Sequence, residues 1–480
     1  MHQHHRKRQR AAGLLAAMAL ATWPAIAAAP AAAAQPTGDP LIAYAVGAAA
    51  LAPIDAEAGT VDSPIGVGAD NRAIAITPDG ATAYVVDGTA GTVIPVDLVG
   101  GTPGAAIPIG GTPVSIAIAP DGATAYVVES FAGGIFPIDT ATNTVGAAIP
   151  VGGPLGPIAM TPDGSTIYVG DTGANEVIPV DTGTGTPGTA IPVGGLPVAF
   201  TITPDGSTLY VATSTANAIV PIDTSANTAG TAVPVPSTPV GLTITPDGAT
   251  VYVATSGNAA YPMSNGTLGT VIPIAGAGIP SDITITPDGA IAIVVTAAGN
   301  VVPIDLETNT AGASVPGGAG PSLFDVAVTP DQAPVASFTV DAAKSPVAFD
   351  ASASTVQFGS IKTYTWDFGD GTPLKPETTP TTTHEYAQPG NFTVTLTLTS
   401  SGGTSTEVVY NGRMVVRNGD ATAAATSQSI TVAPEASTSG GYVLMVTGAN
   451  TGWELVVGGV ALALGVGFVL LARRRRPGRR

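Results

Sequence analysis

Six aspartates recur in one register along this chain: Asp55, Asp97, Asp139, Asp181, Asp223 and Asp305, with Ser264 in the remaining place. Carboxylates gathered on one rim would attract cations. Each also ends a PID or PVD run and precedes a turn, where an Asp side chain accepts hydrogen bonds from nearby backbone N–H groups, and capping is the reading adopted here. A second set is Asp367 and Asp370 in the run WDFGDG, followed by His384. Paired loop carboxylates are first guesses for calcium ligands, but the same residues cap turns of this kind, with the histidine bonded locally.

The inventory of reactive groups is otherwise sparse. There is no cysteine, so disulfides, thiolate metal sites and cysteine nucleophiles are excluded. Residues 35–332 hold one arginine, Arg72, with no lysine and no histidine; the four histidines are His2, His4, His5 and His384. Catalysis generally needs a proton shuttle, a metal or an electrostatic clamp. The segment is therefore expected to be non-catalytic and without a cofactor, calcium aside, an all-carboxylate metal site or a tyrosine mechanism being the remaining routes. A net charge of -18 repels nucleic acid and suits cations, cationic partners or neutral glycans.

The elements that position these residues come from a repeat. An alternating apolar run, Pro-Asp-Gly and a tyrosine-containing run return as ITPDGATAY (76–84), IAPDGATAY (118–126), MTPDGSTIY (160–168), ITPDGSTLY (202–210) and ITPDGATVY (244–252). A sixth copy has Ile293 in place of tyrosine, and a seventh stops at VTPDQ. The prolines of this phrase are spaced by 42, 42, 42, 42, 41 and 43 residues, the mark of a stacked supersecondary unit. One repeat supplies four strand-like runs, VSIAIAP (114–120), ATAYVVE (123–129), GIFPID (134–139) and AAIPVG (147–152), which is what a propeller blade requires. Alternation in the first run places Val114, Ile116 and Ile118 on one face. Proline in the outermost strand is expected, since it has no N–H to leave unpaired. Proline in every third strand (Pro53, Pro95, Pro137, Pro179, Pro221, Pro262, Pro303) implies either a bulge or a short fourth strand.

PDG, YVV or YVA, PIDT and IPVG at this spacing resemble the YVTN family of β-propeller repeats, known from microbial surface-layer and other extracytoplasmic proteins. The opening segment, with IAYAVG, LAPID and PIGVG, lacks a PDG strand, and the last copy (324–330) holds only that strand. Joined, they make one blade, so six complete repeats and a split one imply a seven-bladed propeller over 37–332, closed noncovalently. Related propellers include lactonases, lyases and quinoprotein dehydrogenases.

Residues 333–432 differ in character. PVASFTV, VAFDASAS, YTWDFGDGTP, HEYAQPG and NFTVTLTLTS follow one another in an order that resembles a PKD domain, an immunoglobulin-like β-sandwich. Trp366 and Phe368 are expected to face its core, and NGRMVVRNGD (411–420) to form an inserted hairpin or loop. The resemblance implies a spacer or contact module near carbohydrate or protein partners.

Both ends read as processing signals. A basic start, an apolar stretch and Ala32-Ala33-Ala34 describe a signal peptide over 1–34, cut between Ala34 and Gln35. After a linker (433–452), an apolar span over 453–472 is long enough for a transmembrane helix, and the arginine-rich tail (473–480) would hold that end inside the cell. Within the linker, Leu444-Met445-Val446-Thr447-Gly448 resembles the LPxTG sorting signal of Gram-positive surface proteins, with Met445 departing from its proline. That resemblance implies a sortase that cuts between Thr447 and Gly448 and joins Thr447 to cell wall peptidoglycan; a permanent membrane anchor is the alternative.

The expected fold class is thus all-β: a seven-bladed propeller and a PKD sandwich between a signal peptide and a transmembrane helix. The expected function is surface display of a binding or adhesion module for an extracellular glycan or protein. A structural surface-layer-like protein is the runner-up, and a propeller enzyme ranks behind it.

Overall fold

A computed structural model describes residues 42–55, 59–329, 334–342, 346–356, 360–400, 408–410, 415–417 and 424–433. Ala34, Gln35, Leu444, Thr447, Gly448 and the 453–472 span lie outside them. No helix occurs among the described residues, and none is therefore long and apolar enough to cross a membrane.

Each Pro-Asp-Gly turn reverses the chain between two strands, and apolar alternation then makes them pair. In the blade over 113–150, Pro113–Ile118 pairs with Thr124–Glu129, which pairs with Gly134–Asp139. Seven sheets of this pattern form, each with its PDG-preceding strand at one edge. Those seven strands contact one another in sequence and the last, Leu323–Val328, touches Asn71–Ile76, so the ring is closed and they line its axis. The repeats therefore build a β-propeller of seven blades. The split blade forms as the fragment count requires: Ile42–Gly47 pairs with Leu323–Val328, with Ala43 opposite Val328 and Val46 opposite Asp325. Thr329 locks the seam, its N–H donating to the Ile42 carbonyl at 2.8 Å while its hydroxyl accepts from the Ile42 N–H at 3.1 Å.

Two sequence expectations are corrected. The fourth strand is not the single run 147–152 but two fragments, Thr144–Val145 and Ile149–Pro150, both paired with Gly134–Asp139. The third-strand proline is the cause. The Pro137 carbonyl accepts from Gly146 N–H at 2.7 Å, so its imide nitrogen also faces the fourth strand and offers it no donor. The ladder breaks there in every blade. The inner strand is also not strictly alternating: its pairing shifts between Pro113 and Ser115, leaving Val114 as a bulge.

Neighbouring blades are tied by the repeat's own residues. The PDG glycine needs its left-handed backbone (Gly122, φ 73°) and packs on the PDG proline of the preceding blade, where a Cβ would stand 3.1 Å from Pro78 Cδ. Gly164 on Pro120, Gly206 on Pro162, Gly248 on Pro204 and Gly289 on Pro246 repeat the contact. The buried tyrosine bonds forward as well. Tyr84 donates to Asn143 Oδ1 at 2.9 Å, Tyr168 to Asn227 at 2.9 Å and Tyr252 to Asn309 at 2.8 Å, each asparagine at positive φ in the next blade's outer turn.

In 334–433 the strands form a sandwich-type pair of sheets, Thr339–Asp341, Val347–Asp350 and Thr381–His384 in one, Lys375–Glu377, Ile361–Asp367, Gly390–Ser400 and Ala425–Val432 in the other. Trp366 and Phe368 are buried in the core as expected. Val408–Tyr410 pairs antiparallel with Val415–Arg417, which lies within the anticipated insertion.

Tyr168→Phe and Asn227→Gly should each cost about 1 kcal/mol, and the double variant little more than either alone, when measured by urea unfolding. Burial, then the charges of Asp223 and Asp163, push the Tyr168 phenol up to about 12. Its pKa is raised on folding, so its contribution is complete below pH 10 and lost as pH rises from about 10 to about 12. Alkaline unfolding of Tyr168→Phe should lack that component.

Candidate functional site

A cavity of about 380 Å³ opens among the inner strands, with residues of all seven in its lining. Its walls follow from the bulge. The bulged residues of the seven strands are Arg72, Val114, Gly156, Val198, Val240, Ser281 and Phe324, and all of them line it. The next residue in each strand is Ala73, Ser115, Pro157, Ala199, Gly241, Asp282 or Asp325. Five blades thus place small residues there and two adjacent blades place carboxylates.

Asp282 and Asp325, 2% and 8% exposed, were not singled out from the sequence. Superposing the seven inner-strand runs would have found them, as the two acids in a column of small residues. Asp325 Oδ2 accepts from Ile74 N–H at 2.9 Å, and Asp282 Oδ2 from Val326 N–H at 3.3 Å. Both therefore reach forward to the next inner strand, Asp282 into the split blade and Asp325 out of it, so that their bonds span the seams on its two sides. Ser115 makes the analogous link, donating to the Gly156 carbonyl at 2.6 Å. The inner carboxylates tie blades together and also belong to the cavity lining.

Arg72 belongs to the same lining and is more exposed than the two acids. Its Nε and Nη2 donate to Asp70 Oδ2 at 3.1 and 2.8 Å, and the Thr89 hydroxyl donates to the same oxygen at 2.7 Å. These bonds, led by that from Arg72, hold the Asp70 carboxyl below the ordinary range. The guanidinium lies over Gly88, where any Cβ would collide with it. Phe324, 43% exposed, comes from the adjacent blade.

The repeated aspartates do not line this cavity, and Asp97, Asp139, Asp181, Asp223 and Asp305 cap outer turns. Asp97 Oδ1 accepts from Val99 and Gly100 N–H at 3.0 Å each, and Asp139 and Asp181 accept from the amide and hydroxyl of Thr142 and Thr184. The PDG aspartates do the same within their own turns, Asp79 Oδ1 accepting from the Thr77 hydroxyl at 2.6 Å and Ala81 N–H at 3.0 Å.

In the second domain, Asp367 Oδ1 accepts from Gly369 N–H at 2.9 Å. Asp370 uses both oxygens: Oδ1 accepts from the Thr372 amide and hydroxyl, and Oδ2 lies 2.7 Å from His384 Nε2. The His384 ring is stacked on Phe368 (3.9 Å between centroids) with Tyr386 edge-on. Calcium on Asp370 would have to displace His384. No group of three His, Asp or Glu side chains suited to a metal occurs among the described residues.

Residues 331–416 match the PKD domain family. The chain carries a PKD domain. Its last strand, Ala425–Val432, lies beyond the matched residues. No curated protein matches the sequence. Among solved structures, the chain is similar to a protein of unknown function from Desulfotomaculum acetoxidans DSM 771, at 20% identity and a TM-score of 0.53 over 60% of this chain and 98% of that one. It is similar to Kuenenia stuttgartiensis hydrazine synthase at 20% identity and a TM-score of 0.50 over 59% of this chain and 99% of that one. At such identities the likeness is one of fold.

Burial of Asp370 raises its carboxyl, but the Thr372 and His384 bonds and the His384 charge outweigh it and leave the group at about 2. A pKa lowered on folding stabilises above the usual 3.8, and that contribution is lost as pH falls from about 4 to about 2. Asp370→Asn should remove this acid-side dependence in a thermal-unfolding series. In the propeller, Asp325→Ala should cost about 1–3 kcal/mol by leaving the Ile74 N–H without its acceptor, and Asp325→Asn should restore most of it in the same urea assay.

Proposed function

We propose that this protein is a non-catalytic binding or adhesion module displayed at a bacterial surface, a YVTN-type propeller presented by its PKD domain. The observation that carries the reading is the axial mouth, where the only cation of 37–332 and an exposed phenylalanine meet at one cavity. Propellers and loop-rimmed scaffolds bind ligands at such positions. The non-catalytic reading is supported by the engagement of both carboxylates of the cavity lining with backbone N–H groups, and by a segment without histidine, lysine or cysteine.

Display outside the cell rests on the PKD domain match together with the signal-peptide pattern over 1–34 and the tripartite C-terminus. In this reading, a sortase joins Thr447 to peptidoglycan, and the 453–472 helix retains the precursor in the membrane.

An array of glycans and extracellular matrix proteins probed with the purified full chain, with and without calcium, tests the binding role. Saturable binding to at least one ligand class is expected. A chain that binds nothing and instead assembles into ordered arrays, seen by light scattering and electron microscopy, would favour an envelope-structural role. For the anchor, Thr447→Ala should release the protein from purified cell walls, and retention of the variant on peptidoglycan would defeat the sortase assignment.

A further inference from the structure

We propose that the axial mouth takes a neutral sugar unit, its apolar face on Phe324 and its hydroxyls on the Arg72–Asp70 pair. This rests on the reading of the mouth as a binding site and adds the ligand's chemical class. The argument begins with what a ligand can touch. Asp282 and Asp325 are nearly sealed and already accept from backbone N–H groups. Among the polar residues of the lining, Arg72 is 39% exposed and Ser115, Thr172 and Ser281 are half-buried; Asp70, 32% exposed, is not part of the lining but is bonded to the Arg72 guanidinium beside it. Around them stand Phe324 and three valines, Val114, Val198 and Val240.

Charge then separates the candidates. The lining carries two carboxylates, Asp282 and Asp325, and one guanidinium, Arg72, which is itself paired with Asp70, so an anion meets a net negative field. A cation drawn to that field meets Arg72 on the same lining. A neutral group avoids both penalties. It must both donate and accept, because Arg72 offers only donors and Asp70 only acceptors, side by side. Vicinal hydroxyls do so, and a pyranose ring also carries the C–H face that a flat aromatic and a valine collar can cover. At about 380 Å³ the cavity lies near the small end of ligand pockets, about 300–1,000 Å³, which suits one terminal unit rather than a polymer threaded through.

Gly88 supplies an independent handle. Because a Cβ there collides with the guanidinium, Gly88→Ala should displace Arg72 without removing it. The test is a calorimetric and saturation-transfer NMR titration of the full chain with methyl glycosides of neutral hexoses and N-acetylhexosamines, alongside tetramethylammonium and acetate. Saturable binding of at least one neutral glycoside is expected, weakened about tenfold or more by Phe324→Ala and by Arg72→Met, and measurably by Gly88→Ala. Thermal unfolding and circular dichroism of the three variants should match the parent.

Preference for tetramethylammonium or acetate, glycoside binding unaffected by Phe324→Ala and Arg72→Met, or no glycoside binding would overturn the proposal. The broader reading fails separately. If the chain binds a protein ligand on the array with undiminished affinity in Phe324→Ala, the module binds elsewhere and only the sugar assignment falls.

Discussion

The propeller depends on one pairing between distant parts of the chain. Ile42–Gly47 and Leu323–Val328 meet as neighbours in a single blade, and Thr329 bonds Ile42 across a separation of 287 residues. A blade buries its faces only against the blades beside it, so an open row of seven would leave two apolar faces in water. Closure removes both at once. It also explains why the acids of the inner strands sit where they do: Asp282 and Asp325 bond across the two seams on either side of the blade that the chain itself does not close.

The repeat's strongest motif has a second purpose visible only in the ring. Pro-Asp-Gly makes a turn in any context, since proline presets its backbone and glycine takes the left-handed position. Here the glycine must also be bare because the preceding blade's proline rests on it. Tyrosine has a similar double role. It fills the core of its own blade opposite the third-strand proline, and where the next turn offers a left-handed asparagine it forms a bond between blades. Where that turn has Gly185 instead, the same backbone position persists without the acceptor.

Function enters where the repeat is imperfect. Identical blades would give a channel of identical residues, unable to orient an asymmetric ligand. Arg72, Ser281 and Phe324 occupy the bulge position that valine fills in three other blades, and Asp282 and Asp325 occupy the column of small residues next to it. Arg72, Ser281 and Phe324 are unpaired at the bulge and stand in the cavity wall, whereas Asp282 and Asp325 are paired in their strands and reach the same cavity from the next position. Asp370 and His384 in the PKD domain show the opposite outcome, a pair of titratable groups locked between Phe368 and Tyr386 and occupied by each other.

The sequence by itself determined the all-β class, the number of blades, the split closure and the turn-capping role of the recurrent aspartates, because a period near 42 residues and Pro-Asp-Gly turns are local signals repeated many times. The Trp366 and Phe368 core of the second domain was legible for the same reason, through alternation in a short motif. Only the tertiary structure decided that the third-strand proline breaks the fourth strand rather than bulging the third, since that depends on which neighbour its imide nitrogen faces. It alone brought Arg72, Phe324, Asp282 and Asp325 to one cavity. They are scattered from one end of the propeller to the other in sequence, and ring closure, a long-range event, makes them neighbours.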